Sequence, residues 1–180
     1  AFGVKPGDAI LIYGATGAIG TAAVQLAKAA GARVTAVCHG KHVDLVRALG
    51  ADRVINLDAE DFTKYGETYD YVYDAVGKTT YFRCRKLIKP GGVYSATDLG
   101  AWGHVVFMAL WSAITKSRRV VFPMPTGLKK FMPVIKALIE EGRYRAVIDR
   151  RDSLDDIVEA YRYVETGEKG SVAILGPGCY

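Results

Sequence analysis

The chain has 180 residues, of which 50% are hydrophobic, and a formal net charge of +5 at pH 7. A chain of this length can bury one substantial core, so we expect one main domain. Its 24 basic residues are scattered without a long run, so the charge indicates a solvated surface and does not by itself identify an anionic ligand or a nucleic acid partner.

The cysteines and the apolar runs argue against several kinds of protein. Cys38, Cys84 and Cys179 lie far apart, without a Cys-x-x-Cys pair or a histidine at zinc-finger spacing, so we predict neither a disulfide framework nor a metal site. The longest apolar run, 105–114, is shorter than the roughly 20 residues that a membrane-spanning helix needs. No charged region precedes an apolar stretch at the N-terminus, as a signal peptide would require. We therefore expect a cytoplasmic protein with no membrane partner.

Short apolar runs alternate with segments of helical periodicity along the first two thirds of the chain. The predicted strands are 9–13, 33–38, 53–56, 69–74, 92–96 and 119–122. The predicted helices between them are 18–30, 43–49, 79–88 and 104–115. Because strand and helix alternate strictly, each connection is expected to be a right-handed crossover between parallel strands. The pattern predicts an α/β fold, a doubly wound and mostly parallel sheet with helices on both faces.

A glycine-rich loop, YGATGAIG at 13–20, follows the first predicted strand and opens the first helix. In the G-x-G-x-x-G pattern, Ala15 stands at the first position, Gly17 leaves room for a pyrophosphate, and Gly20 lets helix and strand pack closely. Because a dinucleotide pyrophosphate binds to the amides of such a helix N-terminus, the loop predicts a Rossmann-type cofactor site. The expected contacts from this loop are Ala15, Thr16, Gly17, Ala18, Ile19 and Gly20.

The end of the second predicted strand favours NADPH as the cofactor. NAD-binding folds usually place an acidic residue about 20 positions after the loop, where it holds the adenosine ribose. Here 37–42 reads Val-Cys-His-Gly-Lys-His, and the next carboxylate is Asp44. Basic side chains therefore stand where the 2′-phosphate would lie, and Lys41 is the strongest candidate for binding it. The expected contacts from this segment are Cys38, His39, Gly40 and Lys41.

Several short segments follow one another at consistent spacing: VKPGD at 4–8, the AxGxxG loop, ALGAD at 48–52, YDYVYDAVG at 69–77 and LIKPGG at 87–92. Together they resemble the medium-chain dehydrogenase/reductase superfamily, and within it the zinc-independent quinone oxidoreductase-like branch. The resemblance covers nearly the whole chain. It implies an NADPH-dependent reductase that transfers hydride to a quinone, an enone or a related small-molecule carbonyl acceptor. The implied contacts near the nicotinamide are Ala75, Val76, Gly77, Ala96 and Thr97.

The resemblance also implies a division of the chain. Superfamily members begin with a substrate-binding domain that has no counterpart here, so we expect a fragment that binds NADPH but is inactive alone, and we assign no catalytic residue to it. Residues 1–142 are predicted to be the dinucleotide-binding domain. Residues 143–180, with strands at 144–148 and 171–175 and a helix at 154–164, are predicted to be a C-terminal segment that packs on the missing domain. The apolar side of that helix needs a partner surface.

Two alternatives and one partner remain to be tested. The loop also resembles that of atypical short-chain dehydrogenases, but no tyrosine here has lysine four residues later, as their catalytic pair requires. The second alternative is a non-catalytic NADPH-binding regulatory or RNA-binding module. This sequence contains no aromatic-studded basic stripe, so we do not expect a nucleic acid partner.

The strand at 119–122 is bounded by Pro123 and Pro125, which predicts a sheet edge. Since an open edge can pair with its own copy, we expect a homodimer through this strand.

Overall fold

The main body of the protein is a six-stranded parallel sheet, seen in a computed structural model that describes residues 3–97, 119–122, 128–167 and 170–176. Its strands are β1 (Ala9–Tyr13), β2 (Arg33–Cys38), β3 (Arg53–Asn56), β4 (Tyr69–Asp74), β5 (Ile88–Ala96) and β6 (Arg119–Val121). Their spatial order is β3-β2-β1-β4-β5-β6. The chain therefore winds outward from β1 in one direction and then returns to β4 and winds in the other. The predicted doubly wound α/β fold is confirmed.

Both faces of the sheet are covered, as the alternation of strand residues requires. Helices α1 (Ala18–Ala29) and α2 (Val43–Ala48) cover one face, where Val24 and Val46 pack with Ile12 and Val34. Helix α3 (Tyr81–Cys84) and the 3-10 turn Arg85–Leu87 follow β4 and contribute to the core on the other face. That core is formed by Leu11, Ile55, Phe62, Val72, Cys84, Leu87 and Tyr94.

The region between β4 and β5 differs from the sequence prediction. A helix was expected over 79–88, but α3 is a single turn and β5 already begins at Ile88. Lys89 bonds the Asp70 carboxylate on β4 at 2.7 Å, and Gly91 adopts a φ of +77°. The pairing with β4 shifts register before it resumes at Val93. The Pro-Gly-Gly sequence at 90–92 is accommodated within β5 because the strand pairing is interrupted there by this register shift. The helix predicted at 104–115 lies outside the described residues.

A further helix, α4 (Leu128–Glu140), was missed by the sequence reading. It contains Pro133, and a proline inside a helix removes a backbone hydrogen bond and normally indicates a break. Leu138 is buried on this helix, while Phe131, Met132 and Val134 are exposed. None of the helices in the described part of the chain is long and apolar enough to cross a membrane.

The C-terminal segment forms a small unit of its own that is tied to helix α1. Strand β7 (Ile148–Ser153), helix α5 (Ile157–Glu165) and strand β8 (Val172–Gly176) are arranged so that β7 and β8 pair in parallel. A strand was predicted at 144–148, but β7 begins only at Ile148, the last residue of that range. The Gln25 side chain on α1 bonds both the N–H and the C=O of Arg145, at 2.8 and 3.1 Å. These contacts hold the segment against the sheet domain.

Candidate functional site

The predicted site residues meet at the carboxyl ends of four neighbouring strands. Tyr13, the last residue of β1, pairs with Val37 of β2 on one side and with Asp74 of β4 on the other. The winding of the chain reverses between β1 and β4. Ligands of open α/β sheets bind in the crevice at such a reversal point. The glycine loop lies here, between the end of β2 and the turn that follows β4.

Two glycines of this loop are in contacts that exclude a side chain. Gly14 has a φ of +75°, and a Cβ on it would lie 2.7 Å from both methyl groups of Val76. A Cβ on Gly20 would lie 2.1 Å from the carbonyl oxygen of Gly14. Gly14 and Ala15 also donate their amides to the carbonyl oxygen of Val37, at 3.0 and 3.1 Å. The loop is therefore pressed against both β2 and the first turn of α1.

Gly17 is different, because space is open around it. A Cβ on Gly17 would have no atom nearer than 4.0 Å among its described neighbours, and its φ is −67°. Gly17 is the N-cap of α1, yet no side chain caps this helix and its first turn contains no acidic residue. The first amides of a helix have no partner inside it. The N-terminus of α1 is therefore a set of backbone donors at the positive end of a helix dipole, and no residue in the described part of the chain fills the space beside Gly17.

The turn after β4 is organised by one buried carboxylate. Asp74 is fully buried, and its Oδ1 accepts from the amides of Val76 and Gly77 at 3.1 and 2.9 Å. Its Oδ2 accepts from the amide of Thr79 at 2.8 Å. The backbone of Thr97 donates to the Asp74 carbonyl oxygen at 3.0 Å. One side chain thus fixes the turn 75–77 and the backbone brings 96–97 beside it. An aspartate followed by glycine three positions later is the sequence signal for such a turn.

An acidic group that the sequence did not predict here, Asp58, lies beside the end of β2. Oδ1 of Asp58 lies 2.7 Å from Nδ1 of His39, and Oδ2 accepts from the amide of Gly40 at 2.7 Å. The hydrogen bond from His39, followed by that from the Gly40 amide, lowers the pKa of Asp58. Asp58 follows β3, whose last residue Asn56 pairs with Cys38. Since neighbouring parallel strands end at the same edge, this pairing is the signal that could have found it.

Three buried side chains lie near the site, namely Cys38, Cys84 and Ser95. Burial raises the pKa of the Cys38 thiol to about 11, so Cys38 can offer a ligand only its backbone in practice. Burial likewise raises the pKa of Cys84 to about 11 beneath the Asp74 turn. Ser95 Oγ is buried without a hydrogen-bond partner in the part of the chain that the structure describes. No cluster of three or more potential metal ligands occurs among those residues.

Comparison with known proteins identifies several relatives. The family model of zinc-binding dehydrogenases matches residues 49–170. The 2-methylene-furan-3-one reductase of Solanum lycopersicum is 30% identical over 181 residues, covering 97% of this chain and 42% of that protein. The chloroplastic NADPH-dependent alkenal/one oxidoreductase of Arabidopsis thaliana is 29% identical, covering 95% and 41%. A solved quinone oxidoreductase from Coxiella burnetii superposes with a TM-score of 0.83 at 27% identity, over 97% of this chain and 54% of the other. The chain thus spans about half the length of the relatives it matches.

Proposed function

The chain belongs to the zinc-binding dehydrogenase family within the medium-chain dehydrogenases/reductases, and on that premise we propose that it forms the NADPH-binding part of an oxidoreductase. The proposed reaction reduces a quinone, an enone or a related carbonyl compound. Relatives named for an alkenal/one and for a 2-methylene-furan-3-one support this class of acceptor. These two relatives are by name a reductase and an oxidoreductase of activated carbonyl compounds, which favours the enzyme over a purely regulatory module.

The open N-terminus of α1 at Gly17 is the observation that carries the proposal. Gly14 and Gly20 close the loop against its surroundings, while Gly17 alone leaves a space that a Cβ would fill. An uncapped helix start without a carboxylate in its first turn attracts an anion, and the charge of a pyrophosphate suits it. The residues present therefore fit a dinucleotide at this position.

The remaining predicted contacts extend from this point in two directions along the strand ends. The amides of Ala18, Ile19 and Gly20 would hold the pyrophosphate. On the β2 side, His39, Gly40 and Lys41 would surround the adenosine ribose. On the β4 side, the turn Ala75, Val76 and Gly77 would orient the nicotinamide, with Ala96, Thr97 and the Ser95 hydroxyl beside it. When bound, NADPH supplies the hydride for the reduction.

Lys41 supports NADPH as the preferred form of the cofactor. It is exposed and lies in the 3-10 turn Gly40–His42, directly after β2. An ammonium group there is able to form a charge-assisted hydrogen bond with a 2′-phosphate. A cytoplasmic location is also part of the proposal, because Cys38 and Cys84 are free buried thiols. Cell fractionation would test it, since one of the relatives is chloroplastic.

The variant Gly17→Val tests the proposed function most directly. Because the φ of Gly17 suits any residue and its Cβ would approach Gly14 O and Val76 Cγ1 no closer than an ordinary van der Waals distance of 4.0 Å, the variant should fold normally. Its side chain would, however, fill the proposed pyrophosphate position, and NADPH affinity should fall at least about 10-fold in a fluorescence titration. Ala146→Val, at an exposed position outside the site, is the matched control and should leave the affinity unchanged.

Activity and specificity are measured in parallel. NADPH oxidation by the full-length protein is followed with a panel of quinones, enones and saturated ketones, and the activated acceptors should be reduced fastest. Unchanged NADPH binding in a folded Gly17→Val protein would contradict the site. Absence of nucleotide binding together with a salt-dependent shift of single-stranded RNA would instead favour the nucleic-acid-binding module.

A further inference from the structure

A carboxylate occupies the adenosine end of the proposed cofactor site. Asp58 contacts His39 and the Gly40 amide, each at 2.7 Å. Its own amide donates to Oδ1 of Asn56 at 3.0 Å, which fixes the direction of the chain after β3. The carboxylate therefore reaches the end of β2 from the neighbouring strand.

The contact between the two segments is tight. A Cβ on Gly40 would lie 2.8 Å from Nδ2 of Asn56 and 3.2 Å from Oδ2 of Asp58. The glycine thus lets the segment 56–58 approach the loop 39–41 closely. A rotation of the Asp58 side chain away from the Gly40 amide would break its hydrogen bonds to that amide and to His39. These two contacts hold the negative charge of Asp58 at this end of the site.

We propose that Asp58 is a specificity-determining residue of the cofactor site and that its carboxylate lowers the preference for NADPH over NADH. This inference rests on the proposed function. The Gly40 amide and His39 are donors that a 2′-phosphate would use, and Asp58 already occupies them. Two anions sharing the same donors repel each other, whereas a carboxylate can accept a hydrogen bond from the 2′-hydroxyl of NADH. Lys41 and Asp58 therefore act in opposite directions on the same choice.

The variant Asp58→Asn removes the charge while keeping an oxygen that can accept from the Gly40 amide. NADPH and NADH are titrated separately by fluorescence, and adenosine 2′-monophosphate is compared with adenosine 5′-monophosphate as a smaller probe. Screening limits the effect at an exposed position, so the ratio of the two dissociation constants should shift toward NADPH by about 3-fold or more. Glu60→Gln removes the same charge from an exposed neighbour and should change the ratio less than about 2-fold.

The outcomes separate the two proposals. If the wild-type protein binds both coenzymes and the ratio is the same in Asp58→Asn, Asp58 does not determine specificity, while the proposed function stands. If the wild-type protein binds neither, the proposed function fails and this inference fails with it. An equal shift in Glu60→Gln would assign the effect to general charge and overturn the role of Asp58. Should Asp58→Asn not fold, Asp58→Ser provides the same comparison.

Discussion

Replacement of Asp74 should separate the role of its charge from the role of its hydrogen bonds. Asp74→Ala would leave the part-buried amides of Val76 and Gly77 and the buried amide of Thr79 without their acceptor. Hydrogen bonds to a charged group contribute about 1.5–3 kcal/mol each, so removing three of them should lower the free energy of unfolding by about 4 kcal/mol or more. That is a large share of the roughly 5–15 kcal/mol by which most domains are stable.

Asp74→Asn is the informative companion, because the two carboxylate oxygens have different partners. The asparagine oxygen can keep the amides of Val76 and Gly77, but its NH₂ group would face the amide of Thr79, donor against donor. The expected loss is about 2–3 kcal/mol, between wild type and Asp74→Ala. Urea denaturation followed by circular dichroism measures both variants. An Asp74→Ala protein within about 1 kcal/mol of wild type would refute the view that this carboxylate organises the turn.

Three further results are expected. Lys41→Ala should weaken NADPH binding about 10-fold and NADH binding much less, because one charge-assisted bond is lost; an equal loss of affinity for the two coenzymes would contradict this. Folding raises the pKa of the Cys38 and Cys84 thiols from 9.0 to about 11. The contribution of these protonated thiols to the free energy of unfolding should therefore be complete below pH 9 and be lost as the pH rises through 11. The double variant Cys38→Ala/Cys84→Ala should show a smaller fall of the urea midpoint over this pH range. Because β6 is the edge of the described sheet, sedimentation at micromolar concentration should show a dimer that Val121→Pro dissociates; an intact dimer in that variant would rule out this strand as the interface.

The sequence was sufficient to predict the first four strands and the glycine loop, which depend on local patterns. The bounds of β1 to β4 are those that the apolar runs predict, and the glycine loop lies where its pattern indicates. Period and turn chemistry are local, so they can be read without knowledge of the neighbours. The predictions of helix and strand bounds are wrong where tertiary contacts allow a proline or glycine inside a regular element. Pro133 lies inside α4, and Pro90 lies inside β5 beside the Lys89 to Asp70 hydrogen bond.

Contacts between segments distant in the chain are the second feature that the sequence does not reveal. Gln25 holds Arg145 from 120 positions away, and nothing in the periodicity of α1 distinguishes this glutamine from a surface residue. The C-terminal segment was expected to need a partner outside the chain. The backbone of Arg145 binds to α1, because the primary amide of Gln25 can satisfy both the N–H donor and the C=O acceptor of one residue. Residue type alone does not reveal such a pairing.

The same limitation bears on the choice of coenzyme. Reading only the residues after β2, one finds lysine and histidines and infers a site for a 2′-phosphate. In a parallel sheet, however, the end of β2 is adjacent to the end of β3, and the electrostatic potential there is the sum of both segments. Asp58 places one negative charge beside His39 and Gly40, opposite in sign to Lys41. The charge that a ribose phosphate meets is therefore set by a pair of strands, and the preference for NADPH should be weaker than the β2 segment alone predicts.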